Sequence, residues 1–144
     1  MVGIVRAICI SQHRGTPKRF IEEANFIKNY GIENDAHAGN WHRQVSLLGF
    51  EKISAFNKRS SKVAQGAFGE NLIIEGIDLS SLLICSKLKC KEIELELTQI
   101  GKECHNHCQI YDKVGDCIMP KYGVFAKVVK GGKVKVGDEI RYEI

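Results

Sequence analysis

From Ile93 to Gln99 the chain reads IELELTQ, with Ile93, Leu95 and Leu97 on every second position and charged or polar residues between them. A period of two suits a strand with one buried face, because successive side chains leave a strand on opposite sides. The signal recurs. VSLL at 45–48 reads as a short buried strand, and Val2, Ile4, Ile8 and Ile10 sit on alternate positions, interrupted by Arg6. Near the C-terminus, GVFAKVVKG and KVKVGDEIRYEI are joined by Gly131-Gly132, a dipeptide that favours a tight hairpin. Val134, Val136, Ile140, Tyr142 and Ile144 then alternate around a Gly137-Asp138 turn.

Helical periodicity is scarce. Phe50, Ile53 and Phe56 recur at helical spacing in GFEKISAFNKRS. FIEEANFIKNYGIEND is ambiguous: Phe20, Ala24 and Ile27 fit a helical face, and a strand fits too. HRGTPK, 13–18, is a polar loop, and the glycine-punctuated stretch 66–82 alternates loop with a short extended run. Short strands, many glycine turns and only 2 prolines predict a mostly-β, barrel-like fold with one to three short helices. The 144 residues are expected to form a single domain, 1–144, long enough for a continuous core.

Composition narrows the partners. A net charge of +4 with no Lys/Arg block gives no reason to expect nucleic acid, and it suits a small anionic ligand. The opening MVGIVRAICIS is too short and too interrupted for a signal peptide or a membrane span. A cytoplasmic protein with no membrane partner is therefore expected, its 6 cysteines reduced. Cys9, Cys85 and Cys90 read as small buried hydrophobes.

Three polar clusters remain. In GIENDAHAGNWHRQVSLL, Asp35 and His37 are two apart, so an extended chain points both the same way, with Trp41, His42 and Arg43 following. Such a stretch offers a carboxylate, an imidazole and a guanidinium to one ligand, the last suited to phosphate. A turn held by Asp35 accepting backbone N–H groups explains the same residues. In GAFGENL, two glycines permit close backbone approach, while Glu70 and Asn71 supply an acceptor and an amide. Its spacing matches neither the dinucleotide-binding nor the P-loop pattern.

The third cluster, TQIGKECHNHCQIYDKVGDC, admits two chemistries. Cys104, His107, Cys108 and Cys117 supply four zinc ligands, though Cys-x3-Cys is looser than the zinc-ribbon spacing. Alternatively Cys104 is a reactive thiol, its thiolate favoured by Lys102 and His105, with Cys108 near enough to relay sulfur by exchange.

In this order the clusters resemble the MOSC domain, named after the C-terminal part of molybdenum cofactor sulfurases. The matching elements are G-I-E-N-D-A-H-A-G, R-Q-V-S-L-L, G-x-F-G-E-N-L, I-G-K-E-C-H and a closing V-x-V-G-D-E-I, spread over nearly the whole chain. The resemblance implies a β-barrel-like fold and a role in sulfur handling or in binding molybdenum cofactor (molybdopterin). The family's cysteine falls on Cys104; many members precede it with Arg-x-Pro, where this chain has Gly-Lys-Glu, and Cys108 lies outside the general pattern.

The resemblance thus implies a sulfur carrier or cofactor-binding protein. Cys104 would do the thiol chemistry, with His105 and Cys108 added as helpers on the reading of the residues themselves, and Cys104 would be the molybdenum ligand if cofactor binds. Arg43 and Lys102 would hold the cofactor's phosphate, and Asp35, His37, Glu70 and Asn71 its pterin edge. A cysteine desulfurase or other donor and a molybdoenzyme acceptor are the implied partners. No pyridoxal phosphate site is expected, since that belongs to the aminotransferase-like domain of full-length sulfurases. The alternatives are a molybdenum-dependent reductase of N-hydroxylated compounds using a separate electron donor, and a small zinc-binding module.

Overall fold

Seven strands close into a barrel, and the sequence of their pairings explains which loops meet. The computed structural model describes residues 1–14, 16–59, 64–101 and 122–143. In chain order the strands are β1 (Val2–Ile10), β2 (Arg19–Ile21), β3 (Glu23–Ile27), β4 (Gly31–Ile32) and β5 (Val45–Gly49). After helix α1 (Phe50–Arg59) come β6 (Leu72–Glu75), β7 (Lys87–Cys90), β8 (Ile93–Ile100), β9 (Val124–Lys130), β10 (Gly132–Lys135) and β11 (Glu139–Glu143). The ring runs β1-β11-β7-β8-β9-β5-β6 and returns to β1. Its neighbours are antiparallel except β5 and β6. Closure leaves the ring without an open edge.

β1 does three jobs. Its first half pairs with β11, its second half carries β2, and β6 runs along its other side. Its alternation does not keep one phase, as the sequence pattern implied. A register shift against β6 between Val5 and Ala7 inserts a residue, so the barrel-core positions step from Val5 to Ile8 and Ile10. Ala7 and Cys9 then pack in the second cluster, while Val2 and Ile4 are exposed. A bulge reverses the phase of everything beyond it.

Two apolar layers result. Val45, Leu47, Leu72, Ile74, Leu88, Leu95, Leu97, Val124 and Ala126 belong to the core cluster of the barrel. A second cluster joins Leu48, Ile73 and Phe125 to Ile53 and Phe56 of α1 and to Phe68. Phe56 and Phe68 meet edge to face at 5.0 Å. Burying a side chain of this size is worth roughly 1.5–3 kcal/mol, so the helix is held by its Ile53 and Phe56 face.

The ambiguous stretch is strand: Ala24 and Phe26 are buried on alternate positions of β3, while Phe20 and Ile27 are exposed. The hairpin expected at Gly131-Gly132 is not what forms. β10 pairs with β3 in a separate sheet ordered β10-β3-β4, so the dipeptide carries the chain from one sheet to the other. A Cβ on Gly131 would sit 2.6 Å from the Phe26 carbonyl oxygen, so close approach, not hairpin geometry, requires glycine there. Cys9 and Cys90 are buried as expected, but Cys85 is exposed, at a positive φ of 72°. No helix among the described residues is long and apolar enough to cross a membrane.

Candidate functional site

Asp35 lies in a run of turns between β4 and β5, so it and His37 do not project from an extended chain. The turn reading is the one the structure shows. The Asp35 backbone N–H donates to the Ile32 carbonyl at 3.1 Å, and its own carbonyl accepts from Ala38 N–H at 3.2 Å. The side chain turns inward, accepting the Ser11 N–H (3.1 Å) on Oδ1 and the His37 N–H (3.1 Å) on Oδ2.

The partner that sequence reading missed is Lys18. Its Nζ lies 2.6 Å from Asp35 Oδ1, and both side chains are fully shielded from solvent. Nζ also donates to Ser11 Oγ at 3.3 Å. Burial pulls the Lys18 pKa below its usual value, and the Asp35 carboxylate opposes that shift. The polar loop 13–18, read as a mere connection, therefore ends in a buried charge.

The second cluster sits against the same lysine. Lys18 N–H donates to the Gly66 carbonyl at 2.7 Å. Gly66 has φ +86°, and a Cβ there would come within 2.0 Å of the Lys18 carbonyl oxygen, so the contact tolerates no side chain. Glu70 is fully buried and folds back on its own loop, accepting Gly66 N–H on Oε2 and Phe68 N–H on Oε1, both at 3.1 Å. Burial raises its pKa to about 7 against the opposing pull of these N–H donors and Lys18.

Asn71 is an interior cross-brace. Its Oδ1 accepts from Ser46 N–H (2.9 Å) and Ser46 Oγ (3.1 Å), and its Nδ2 donates to the Cys9 carbonyl (2.9 Å). It thereby ties β5 to β1. Burial, with the negative charge of Glu70 next in importance, pushes the Cys9 thiol up to about 12 and keeps it protonated.

Trp41, His42 and Arg43 form a more open corner beside β8. Trp41 Nε1 donates to the His37 carbonyl at 2.7 Å, and the two rings lie nearly parallel, 6.3 Å apart. Arg14 lies over the Trp41 ring at 4.4 Å; Arg43 lies 6.0 Å from the same ring and 5.2 Å from Phe125. Arg43 Nε donates to Gln99 Oε1 at 3.1 Å, and His42 Nε2 is 2.9 Å from that oxygen. Thr98 Oγ1 donates to the His42 carbonyl. Gln99 Nε2 donates to the Gly101 carbonyl at 2.8 Å.

Among the described residues the partners of Arg14 and Arg43 are a carbonyl, an amide oxygen and aromatic rings, and none is a carboxylate. Two guanidinium groups without a counter-charge suit an anion. Lys102, Cys104, His105, His107, Cys108 and Cys117 lie outside the described residues, so the zinc set and the thiol cluster do too. Among the described residues no group of three His, Cys, Asp or Glu could hold a metal.

The model of the MOSC domain matches residues 34–141, a span that contains the second and third clusters and the first from Asn34 onward. The chain belongs to the MOSC domain family. That family is associated with molybdenum cofactor metabolism. No curated protein matches the chain at a significant level. The YuaD protein from Bacillus subtilis is similar in structure, with a TM-score of 0.83 and 18% identity over 100% of this chain and 97% of that one. YiiM from Geobacillus stearothermophilus gives 0.76 and 14% identity over 99% and 75%. YiiM from Escherichia coli gives 0.70 and 17% over 98% and 70%. At these identities the likeness establishes the MOSC fold alone.

Proposed function

We propose that this MOSC domain relays sulfur through Cys104, presenting it to molybdenum cofactor or to a molybdoenzyme. The observation that carries the reading is the Gln99 bridge. One amide joins His42 and Arg43 to the Gly101 carbonyl, three residues before Cys104. Its end at Gly101, close in sequence to Cys104, supports reading the cationic corner and the thiol as parts of one site.

In the proposed step the Cys104 thiolate attacks the terminal sulfur of a persulfide on a cysteine desulfurase. A new S–S bond forms at Cys104, the donor's S–S bond breaks, and the donor cysteine leaves as thiolate, so no external oxidant is consumed. Lys102 and His105 favour the attacking thiolate, and Cys108 is the second thiol for onward exchange.

The described residues fit molybdenum cofactor in charge, through Arg14 and Arg43 beside Trp41, which have no carboxylate partner among the described residues. Arg43, with Lys102, would hold its phosphate, and His37 with Trp41 would border the pterin. Asp35, Glu70 and Asn71 would act from behind, by holding the loops that present these groups. Bound there, the cofactor would supply a soft metal centre able to take a Cys104 thiolate.

Incubation with a cysteine desulfurase and cysteine, followed by intact mass, tests the relay. Wild type is expected to gain sulfur that a reductant removes, and Cys104→Ala is expected to gain none. Equal sulfur uptake by the two proteins removes Cys104 from the mechanism.

A further inference from the structure

The Gln99 carboxamide has a property that its role as a bridge does not exhaust: its neighbours determine which way it faces and where a proton must lie. An amide oxygen only accepts, and an amide nitrogen only donates. The guanidinium Nε of Arg43 only donates, so the group 3.1 Å from it must be the oxygen. The Gly101 carbonyl only accepts, so the group 2.8 Å from it must be the nitrogen. Both constraints agree, and a flipped amide would break two hydrogen bonds at once.

With the oxygen so placed, His42 Nε2 at 2.9 Å meets an acceptor. It bonds only if it carries the proton, which leaves Nδ1 of the neutral ring with the lone pair. The residue is held from both ends. Thr98 Oγ1 donates to the His42 carbonyl, so the backbone is pinned to β8 one residue before Gln99 pins the ring. Trp41 meets the ring edge-on at 5.9 Å.

The geometry points to Gln99 as the positioning residue of this corner, fixing the His42 proton on Nε2 and making Nδ1 the basic atom offered to a bound thiol or anionic acid. A proton arriving on Nδ1 gives an imidazolium whose Nε2–H stays on the same amide oxygen, so Gln99 stabilises His42 before and after the transfer. Arg43 Nε shares that oxygen, which ties the cation and the base to one frame. This assignment rests on the proposed reading of the corner as a ligand-handling face, and it deepens that reading by naming the proton acceptor.

The test is a long-range 1H–15N correlation of the full labelled chain at about pH 8.5, above the usual histidine range, with His42→Ala used for assignment. Wild type is expected to show a His42 ring protonated on Nε2, with that proton and the Arg43 Nε–H both protected from exchange. Gln99→Met, similar in volume but without the oxygen, is expected to lose both protected signals. Gln99→Glu keeps the acceptor, cannot donate to Gly101, and is expected to retain both.

A wild-type ring protonated on Nδ1 overturns the assignment, as do protected signals that persist in Gln99→Met or vanish in Gln99→Glu. Should Gln99→Met fail to fold, the wild-type tautomer and the Gln99→Glu spectrum decide it. Intact mass on the same wild-type sample separates the two claims. An Nε2-protonated, protected His42 on a protein that takes up no sulfur supports this assignment and overturns the relay.

Discussion

Two polar regions lie side by side on this barrel and are built on opposite rules. Around Lys18 three polar side chains are interior and committed: Asp35 to Lys18 and two backbone N–H groups, Glu70 to its own loop, Asn71 to Ser46 and Cys9. Around Arg43 the side chains are half-buried or exposed, and two guanidinium groups have no carboxylate among the described residues. The first region spends its hydrogen bonds on holding loops 12–18, 33–44 and 64–71 together. The second leaves its guanidinium charge without a carboxylate partner among the described residues. Motif residues adjacent in sequence thus divide into scaffold and candidate contact, and burial draws the line between them.

The sharpest way to break the comparison is to remove the buried cation. Lys18→Met leaves the Asp35 carboxylate shielded and unpaired, and a buried pair broken in this way typically costs about 3–5 kcal/mol. Urea unfolding is expected to show a loss of that size. A loss below about 1 kcal/mol would place the pair in solvent contact and merge the two regions.

Next comes pH. The folded-state pKa of Glu70 is raised to about 7 by burial, so the folded protein binds this proton more tightly than the unfolded chain does. The stability it contributes is complete below the unfolded value near 4.5 and is lost as pH rises towards 7. Glu70→Gln does not titrate. Its unfolding free energy minus that of wild type is expected to climb across this window by on the order of 3 kcal/mol, whatever constant offset the amide introduces. Urea unfolding series at several pH values read that slope, and a flat difference would mean that Glu70 is hydrated.

The smallest expected effect on stability falls on the open corner. Arg43→Ala is expected to unfold within about 1 kcal/mol of wild type. Inorganic phosphate is expected to raise the melting temperature of wild type but not of the variant, because only a protein that binds the anion is stabilised by it. A large loss of stability without phosphate would move Arg43 into the scaffold and erase the distinction.

How much of this was legible depended on whether the cause was local. β8 was plain, because Ile93, Leu95 and Leu97 answer to the period of a single strand. Helix α1 was plain for the same reason, through Ile53 and Phe56. β1 misled: Val2 and Ile4 share a parity with Ile8 and Ile10, but the shift between Val5 and Ala7 breaks it, and that shift exists only against β6. Gly131-Gly132 carries a true glycine signal, yet the constraint is the Phe26 carbonyl on another sheet. Lys18 gave no signal in a polar loop, and Gln99 stood at the end of a strand pattern as one more polar residue. Both acquire roles from partners far along the chain, 17 residues for Lys18 and Asp35 and 56 for Gln99 and Arg43.

The sequence by itself determined the mostly-β class, the short helix, the family and the three polar clusters, because each is written in local periodicity or in ordered motifs. Only the tertiary structure decided which members of those clusters face inward. Tertiary packing carries Lys18 under Asp35 and Gln99 against His42 and Arg43. Hydrogen bonds reach about 3 Å, and residues distant in sequence come within that reach only when strands pair.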